Sequence, residues 1–137
     1  MNNDEEVLFC NDAFYQAFLN RDMKAMDEIW ATSSPVLCIH PGGNALTSRE
    51  QIMSSWEGII SHEACPRILH RNDELMHYDG LTLLTCYEWD ERQPKNILLT
   101  TNGFARENNR YYMVFHQTAP VPLGMPEHDE AAIPAIH

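Results

Sequence analysis

Apolar residues recur at helical spacing along residues 4–19. Val7, Phe14 and Phe18 share one face, and Leu8, Tyr15 and Leu19 widen the stripe. Asn20-Arg21-Asp22 interrupts the pattern, and Asp22 is placed to N-cap a short second helix running to Trp30, with Met23, Met26 and Trp30 on one side. The run Val36-Leu37-Cys38-Ile39 has the length and apolar content of a buried strand. It ends at His40, where Pro41-Gly42-Gly43 turns the chain. Thr47-Ser48-Arg49-Glu50 reads as a capping box, Thr47 accepting from the amide of residue 50 and Glu50 reaching back. Ile52, Trp56, Ile59 and Ile60 then follow at the spacing of a third helix, with Met53 beside them.

Residues 67–118 change period. Ile68 to Tyr78 is mixed and polar, as in a strand with one face in solvent. Asp79-Gly80 predicts a type I′ hairpin, which needs positive φ at both central residues. Leu81, Leu83, Thr85, Tyr87 and Trp89 alternate with Thr82, Leu84, Cys86, Glu88 and Asp90 in the partner strand. Turns at residues 91–95 and 107–110 separate two more strands, residues 96–106 and 111–118. Strands joined by short turns pair antiparallel, so helices followed by a meander predict an α+β domain with the helices on one face of a curved sheet. A sheet curled over a long helix leaves a concave space in which ligand sites form. From Pro120 the pattern collapses, which divides the chain into one domain over residues 1–120 and a tail over 121–137.

The chain has 137 residues, enough for one domain with a sizeable core. Its formal net charge of −11 argues against nucleic acid and against an anionic membrane surface as partners. The acidic start Met1-Asn2-Asn3-Asp4-Glu5-Glu6 is unlike a signal peptide. Cys10, Cys38 and Cys86 sit among apolar residues, Cys65 stands alone, and no Cys-x-x-Cys pair occurs. That usage predicts a reduced, cytoplasmic chain.

The order of elements and several local phrases resemble the NTF2-like superfamily and, within it, the SnoaL-like group. The carriers are Val36-Leu37-Cys38-Ile39-His40-Pro41-Gly42, Ser48-Arg49-Glu50-Gln51-Ile52 with Ser55-Trp56, Thr101-Asn102-Gly103-Phe104, and Met113-Val114-Phe115-His116-Gln117-Thr118-Ala119-Pro120. The resemblance covers roughly residues 4–120. It implies the cystatin-like cone, usually a homodimer joined through the sheet. It also implies either cofactor-free proton-transfer chemistry of isomerase, cyclase or dehydratase type, or a binding module with no activity. Isomerase and cyclase members place a carboxylate base in the cavity.

The candidate site is a polar cluster of His40, Asn102 and His116, walled by Tyr15, Trp30 and Trp56. His40, at a strand end, is placed to act as acid or base near neutrality, and His116, between apolar neighbours, suits a neutral imidazole. These two are the candidate catalytic residues, with Tyr15, Trp30, Trp56 and Asn102 contacting a small, largely apolar ligand. Glu88 is the candidate carboxylate, but its expected place is the solvated outer face of the sheet. There it would join Arg71, Tyr87 and Trp89 as a homodimer surface in the non-catalytic alternative. His62, Cys65 and His70 offer three metal-ligating side chains, one short of a structural zinc site and at no standard spacing, so neither a metal nor a cofactor is expected. The chain carries no glycine-rich phosphate loop and no Gly-x-Ser-x-Gly elbow.

Overall fold

The computed structural model describes residues 2–122 and 124–126. Helix α1 spans Asn3–Leu19, α2 Met23–Ile29 and α3 Arg49–Ser61; strands β1 to β5 span Leu37–Ile39, Ile68–Tyr78, Leu81–Asp90, Gln93–Glu107 and Arg110–Pro120. The five strands form one sheet in the order β1-β5-β4-β3-β2. The meander β2 to β5 is antiparallel, as expected, and β1 joins its far edge parallel to β5, with Cys38 beside His116. The tail expected from residue 121 lies largely outside the described residues. Among the described residues no helix is long and apolar enough to cross a membrane.

Local chemistry accounts for the helix starts. The Asn2 side chain accepts from the Glu5 amide and Asp22 from the Ala25 amide. The third cap lies one residue later than expected. Ser48 is the N-cap and accepts from the Gln51 amide, while the Gln51 side chain accepts from the Thr47 amide. Two adjacent hydroxyl residues precede two adjacent long polar residues, so either register satisfies the motif, and the backbone settles on the second. Arg49 then ties the start of α3 to α2. Its Nε donates to the Ala31 carbonyl, and its terminal nitrogens reach the Asp27 carboxylate and the Asp27 and Trp30 carbonyls.

The hairpin turns also differ from expectation. Gly80 has φ +76° but Asp79 stays at negative φ, so the Asp79-Gly80 turn is not type I′. Asn108 and Asn109, at φ 53° and 65°, do supply two consecutive positive values between the paired residues Glu107 and Arg110. Asparagine tolerates that region better than other residues with a side chain.

Register shifts interrupt each antiparallel pair: at Asn72/Glu74, Glu88/Asp90 and Gly103/Phe104. Such irregularities bend strands and strengthen twist, which curves the sheet over α1 and α3. The concave face then packs on Val7, Phe14, Phe18, Ile52, Trp56 and Ile60 of the two helices. The α+β class read from the sequence is the one observed.

Candidate functional site

Registered pairing sets three rows of side chains across the concave face. One row runs Cys38, His116, Asn102, Leu84. The next runs Thr118, Thr100, Cys86, Asn72. Glu88 and His70 are paired in the third. The even-numbered residues of β3 point inward, so Glu88 is only 2 % exposed. This corrects its expected place on the solvated outer face. It also removes it from the surface expected to carry Arg71, Tyr87 and Trp89. The carboxyl lies under α1, where Tyr15 donates its hydroxyl to Glu88 Oε2.

A directed chain of hydrogen bonds continues from there. Asn102 Nδ2 donates to the Tyr15 oxygen at 3.2 Å and to Asn11 Oδ1 at 2.8 Å. With the amide nitrogen so engaged, Asn102 Oδ1 is the acceptor facing His116 Nδ1 at 2.6 Å. His116 therefore carries its proton on Nδ1 and presents Nε2 as an acceptor. Every dipole in the sequence His116, Asn102, Tyr15, Glu88 points toward the carboxyl. An amide does not readily pass a proton, so the chain orients its members rather than conducting between them.

Burial governs the ionisation of all four groups' neighbourhood. Burial raises the Glu88 pKa, opposed by hydrogen bonding from Tyr15 and by the nearby Thr100. The Thr100 hydroxyl favours the charged carboxylate without reaching hydrogen-bonding geometry to it. Among the described residues no cation acts on Glu88. The Tyr15 phenol is pushed well up by burial, then by Glu88 and Cys86, and stays protonated. His116 is lowered by burial, and secondarily by His40, to about 3. Burial pushes the Cys38 thiol up to about 12 and raises Cys86 as well, so neither is poised as a nucleophile.

His40 stands at the margin of the cluster, half-buried, with its pKa lowered by burial. Ser55 donates its hydroxyl to the Ile52 carbonyl and so accepts from His40 Nε2 at 3.0 Å. The two imidazole centroids are 6.3 Å apart, and the Trp56 indole lies against both, at 4.9 Å from His40 and 5.7 Å from His116.

The structure thus brings together Tyr15, His40, Trp56, Asn102 and His116 of the residues expected at the site. Trp30 is fully buried in the same apolar core cluster as Tyr15 and Trp56, its backbone bridged to Met113 and its carbonyl accepting from Arg49. The open hollow expected over the cluster is not seen: Phe14, Trp56, Asn102 and His116 are each no more than 1 % exposed, and Phe14 packs on His116 at 5.1 Å. The larger concavities lie elsewhere, among them a groove of about 620 Å³ at the start of α1 beside His77 and Arg106. The possible metal ligands also part company. His62 Nδ1 accepts from the Ala64 amide, Cys65 Sγ contacts the Pro66 carbonyl, and His70 meets Asp12 at 3.1 Å while stacking on Tyr15 at 4.0 Å.

The raised carboxyl pKa has a testable consequence. A group whose folded pKa exceeds its unfolded value of 4.5 contributes stability below pH 4.5 and loses it as pH rises through the folded value. Glu88→Gln is expected to be more stable than the wild type at pH 8, by about 1.4 kcal/mol for each unit of elevation. The advantage should vanish at pH 4. Urea titrations at the two pH values read the difference, and a larger advantage at pH 4 than at pH 8 would contradict the burial of this carboxyl.

Helices packed on a bent mixed sheet, with polar groups gathered on its inner face, define the NTF2-like cone. Residues 7–123 match the model of the SnoaL-like domain, and the chain belongs to that family. Among solved structures it is similar to a Thiobacillus denitrificans protein named for the calcium/calmodulin-dependent protein kinase type II association domain. Identity there is 27 % and TM-score 0.71, covering 82 % of this chain and 92 % of that one. It shares its fold with a Streptomyces avermitilis protein named as a dehydratase of the NTF2-like family, at 23 % identity and TM-score 0.75, covering 85 % and 94 %. It is also 25 % identical over 118 residues to the F-box protein SKIP8 of Arabidopsis thaliana. That match takes in 82 % of this chain and 48 % of SKIP8, so the chain spans about half the length of that relative.

Proposed function

We propose that the chain binds a compact, largely apolar carbonyl compound against the inner-face cluster and transfers a proton on it without a cofactor. One observation carries this reading: Glu88 is buried, has no cationic partner among the described residues and is held by a phenol. A carboxyl in that position is expensive for stability and has the elevated pKa that suits a general base or acid. Glu88 is the proton-transfer group, and Tyr15 fixes its orientation. Asn102 sets the tautomer of His116, whose Nε2 accepts from the hydroxyl of the ligand's enol form, and His40 exchanges protons with solvent at the margin. The closed packing requires Phe14 or Trp56 to shift when a ligand enters.

The test is exchange of α-protons of cyclohexanone and 2-cyclohexenone into D₂O, followed by ¹H NMR. Exchange should exceed that in buffer and fall by about 100-fold or more in Glu88→Gln, the scale of general acid–base catalysis. Exchange no faster than buffer with either ketone would remove the catalytic reading.

A second reading, a non-catalytic homodimeric module, is favoured by the close ring packing and by the apolar outer face of the sheet. There Leu81, Leu83 and Phe115 line a concavity together with Val36 and Leu37. The Thiobacillus relative named for an association domain supports the same reading. A dimer in sedimentation, with no α-proton exchange, is the outcome that selects it.

A further inference from the structure

Thr100 and Thr118 face each other across β4 and β5, at 0 % and 5 % exposure. Among the described residues neither hydroxyl reaches hydrogen-bonding geometry with a partner, although Thr100 lies near enough to Glu88 to favour its charged form. Their neighbours are otherwise satisfied. Asn102 is bonded on both amide atoms, the Tyr15 hydroxyl is bonded, and Thr82, buried on the same face, meets His77 Nδ1 at 2.9 Å. A buried hydroxyl without a partner loses its water and gains nothing, whereas valine would fill the same space and suit a strand as well. Cross-strand threonine pairs can bond one another, but these two do not.

Their position is specific. The pair lies in the row adjoining that of Asn102 and His116, and Thr100 neighbours Cys86 on the strand that carries Glu88. The row of the two hydroxyls thus lies between that of the proton-transfer carboxyl and that of His116. We infer that Thr100 and Thr118 are specificity-determining residues: they bind the oxygen of the ligand and select an oxygenated ring over the matching hydrocarbon. The inference rests on the reading of the cluster as a small-molecule site. It adds the requirement for an oxygen and the two side chains that recognise it. A carbonyl accepts from both hydroxyls, and an alcohol accepts from one and donates to the other.

The experiment uses the full chain and two probes, cyclohexanone and cyclohexene, with binding followed by ligand-observed NMR. Thr118→Val should melt at or above the wild-type temperature, because an unsatisfied hydroxyl has been replaced by a methyl group, and Thr100→Val should do so at pH 4, where Glu88 holds its proton and its carboxylate needs no hydroxyl beside it. Each should weaken cyclohexanone binding about tenfold and leave cyclohexene binding unchanged. Thr118→Ser, which keeps the hydroxyl, should retain the ketone preference. Equal ketone binding in wild type and both valine variants would overturn the inference while leaving the site intact. A fall in melting temperature shared by both valine variants would also overturn it, by showing that the hydroxyls serve the fold. Binding of neither probe by the wild type would take down the site and the inference together.

Discussion

Trp56→Ala should reduce unfolding free energy by about 3–5 kcal/mol, the range for truncating a buried tryptophan. Helix α3 presents only Ile52, Trp56 and Ile60 as buried residues, so the indole is the centre of its seam with the domain. Trp56 is 1 % exposed and packs edge-on against Phe14 at 5.3 Å, Phe18 at 5.1 Å and His40 at 4.9 Å. Its Nε1 has no partner among the described residues, so truncation removes packing and leaves no orphaned acceptor there. The loss is therefore transfer energy plus a cavity, with no hydrogen-bond contribution. The cavity would adjoin both imidazoles, and indole at millimolar concentration should restore part of the melting temperature by binding the folded state alone. Trp56→Phe, which keeps a ring in place, should cost less than half as much. A loss below 1 kcal/mol in Trp56→Ala by urea titration would mean that α3 does not seat on this indole.

The same residue shows what could be read from the chain and what could not. The spacing of Ile52, Trp56 and Ile60 was sufficient to place the indole inward, because a helix of period 3.6 has one apolar face. Nothing in that spacing tells whether the rings meet or leave a hollow. Phe14 closes the space, and its contact with His116 joins residues 102 positions apart. Glu88 was misplaced for a related reason. Both faces of β3 are rich in apolar residues, with Leu81, Leu83, Tyr87 and Trp89 on one and Leu84 and Cys86 on the other. Alternation fixed which residues go together and left open which set faces in. A lone carboxylate then reads as solvent-facing, unless its partner is known. Here the partner is Tyr15, 73 residues away on α1. The one available signal was the set it belongs to: Thr82, Leu84 and Cys86 include no aromatic ring, whereas the opposite set carries Tyr87 and Trp89. Asn102 and His116 lie on strands joined by a two-residue turn, so their neighbourhood was legible, but counting from that turn sets Asn102 opposite Phe115, and only the bulge at Gly103/Phe104 brings it to His116.

Site and stability meet most directly at His116, where acidification from pH 7 to pH 4 should withdraw about 3 kcal/mol. Burial holds this imidazole at about 3 against 6.5 for an unperturbed histidine. Its folded pKa is depressed, so the contribution is fully present above pH 6.5 and is lost as pH falls toward 3. In that window the unfolded chain takes up a proton that the folded chain refuses. The groups facing the ring explain the refusal: Phe14 and Trp56 are apolar, Asn102 offers an acceptor to Nδ1 that a neutral ring already uses, and His40 repels a second charge. His40, itself lowered by burial, acts in the same direction. Glu88 acts in the opposite one, because its raised pKa favours the folded state as pH falls. The contribution of His116 is isolated by comparing the wild type with His116→Gln at pH 7, 5.5 and 4. The variant can still meet Asn102 through its amide and has nothing to titrate. The wild type should lose about 3 kcal/mol more than the variant across this range, with most of the difference gained below pH 6.5. Parallel curves for the two proteins would show that the ring accepts a proton in the folded state. The neutral, Nδ1-protonated imidazole on which the proposed ligand contact depends would then have to be abandoned.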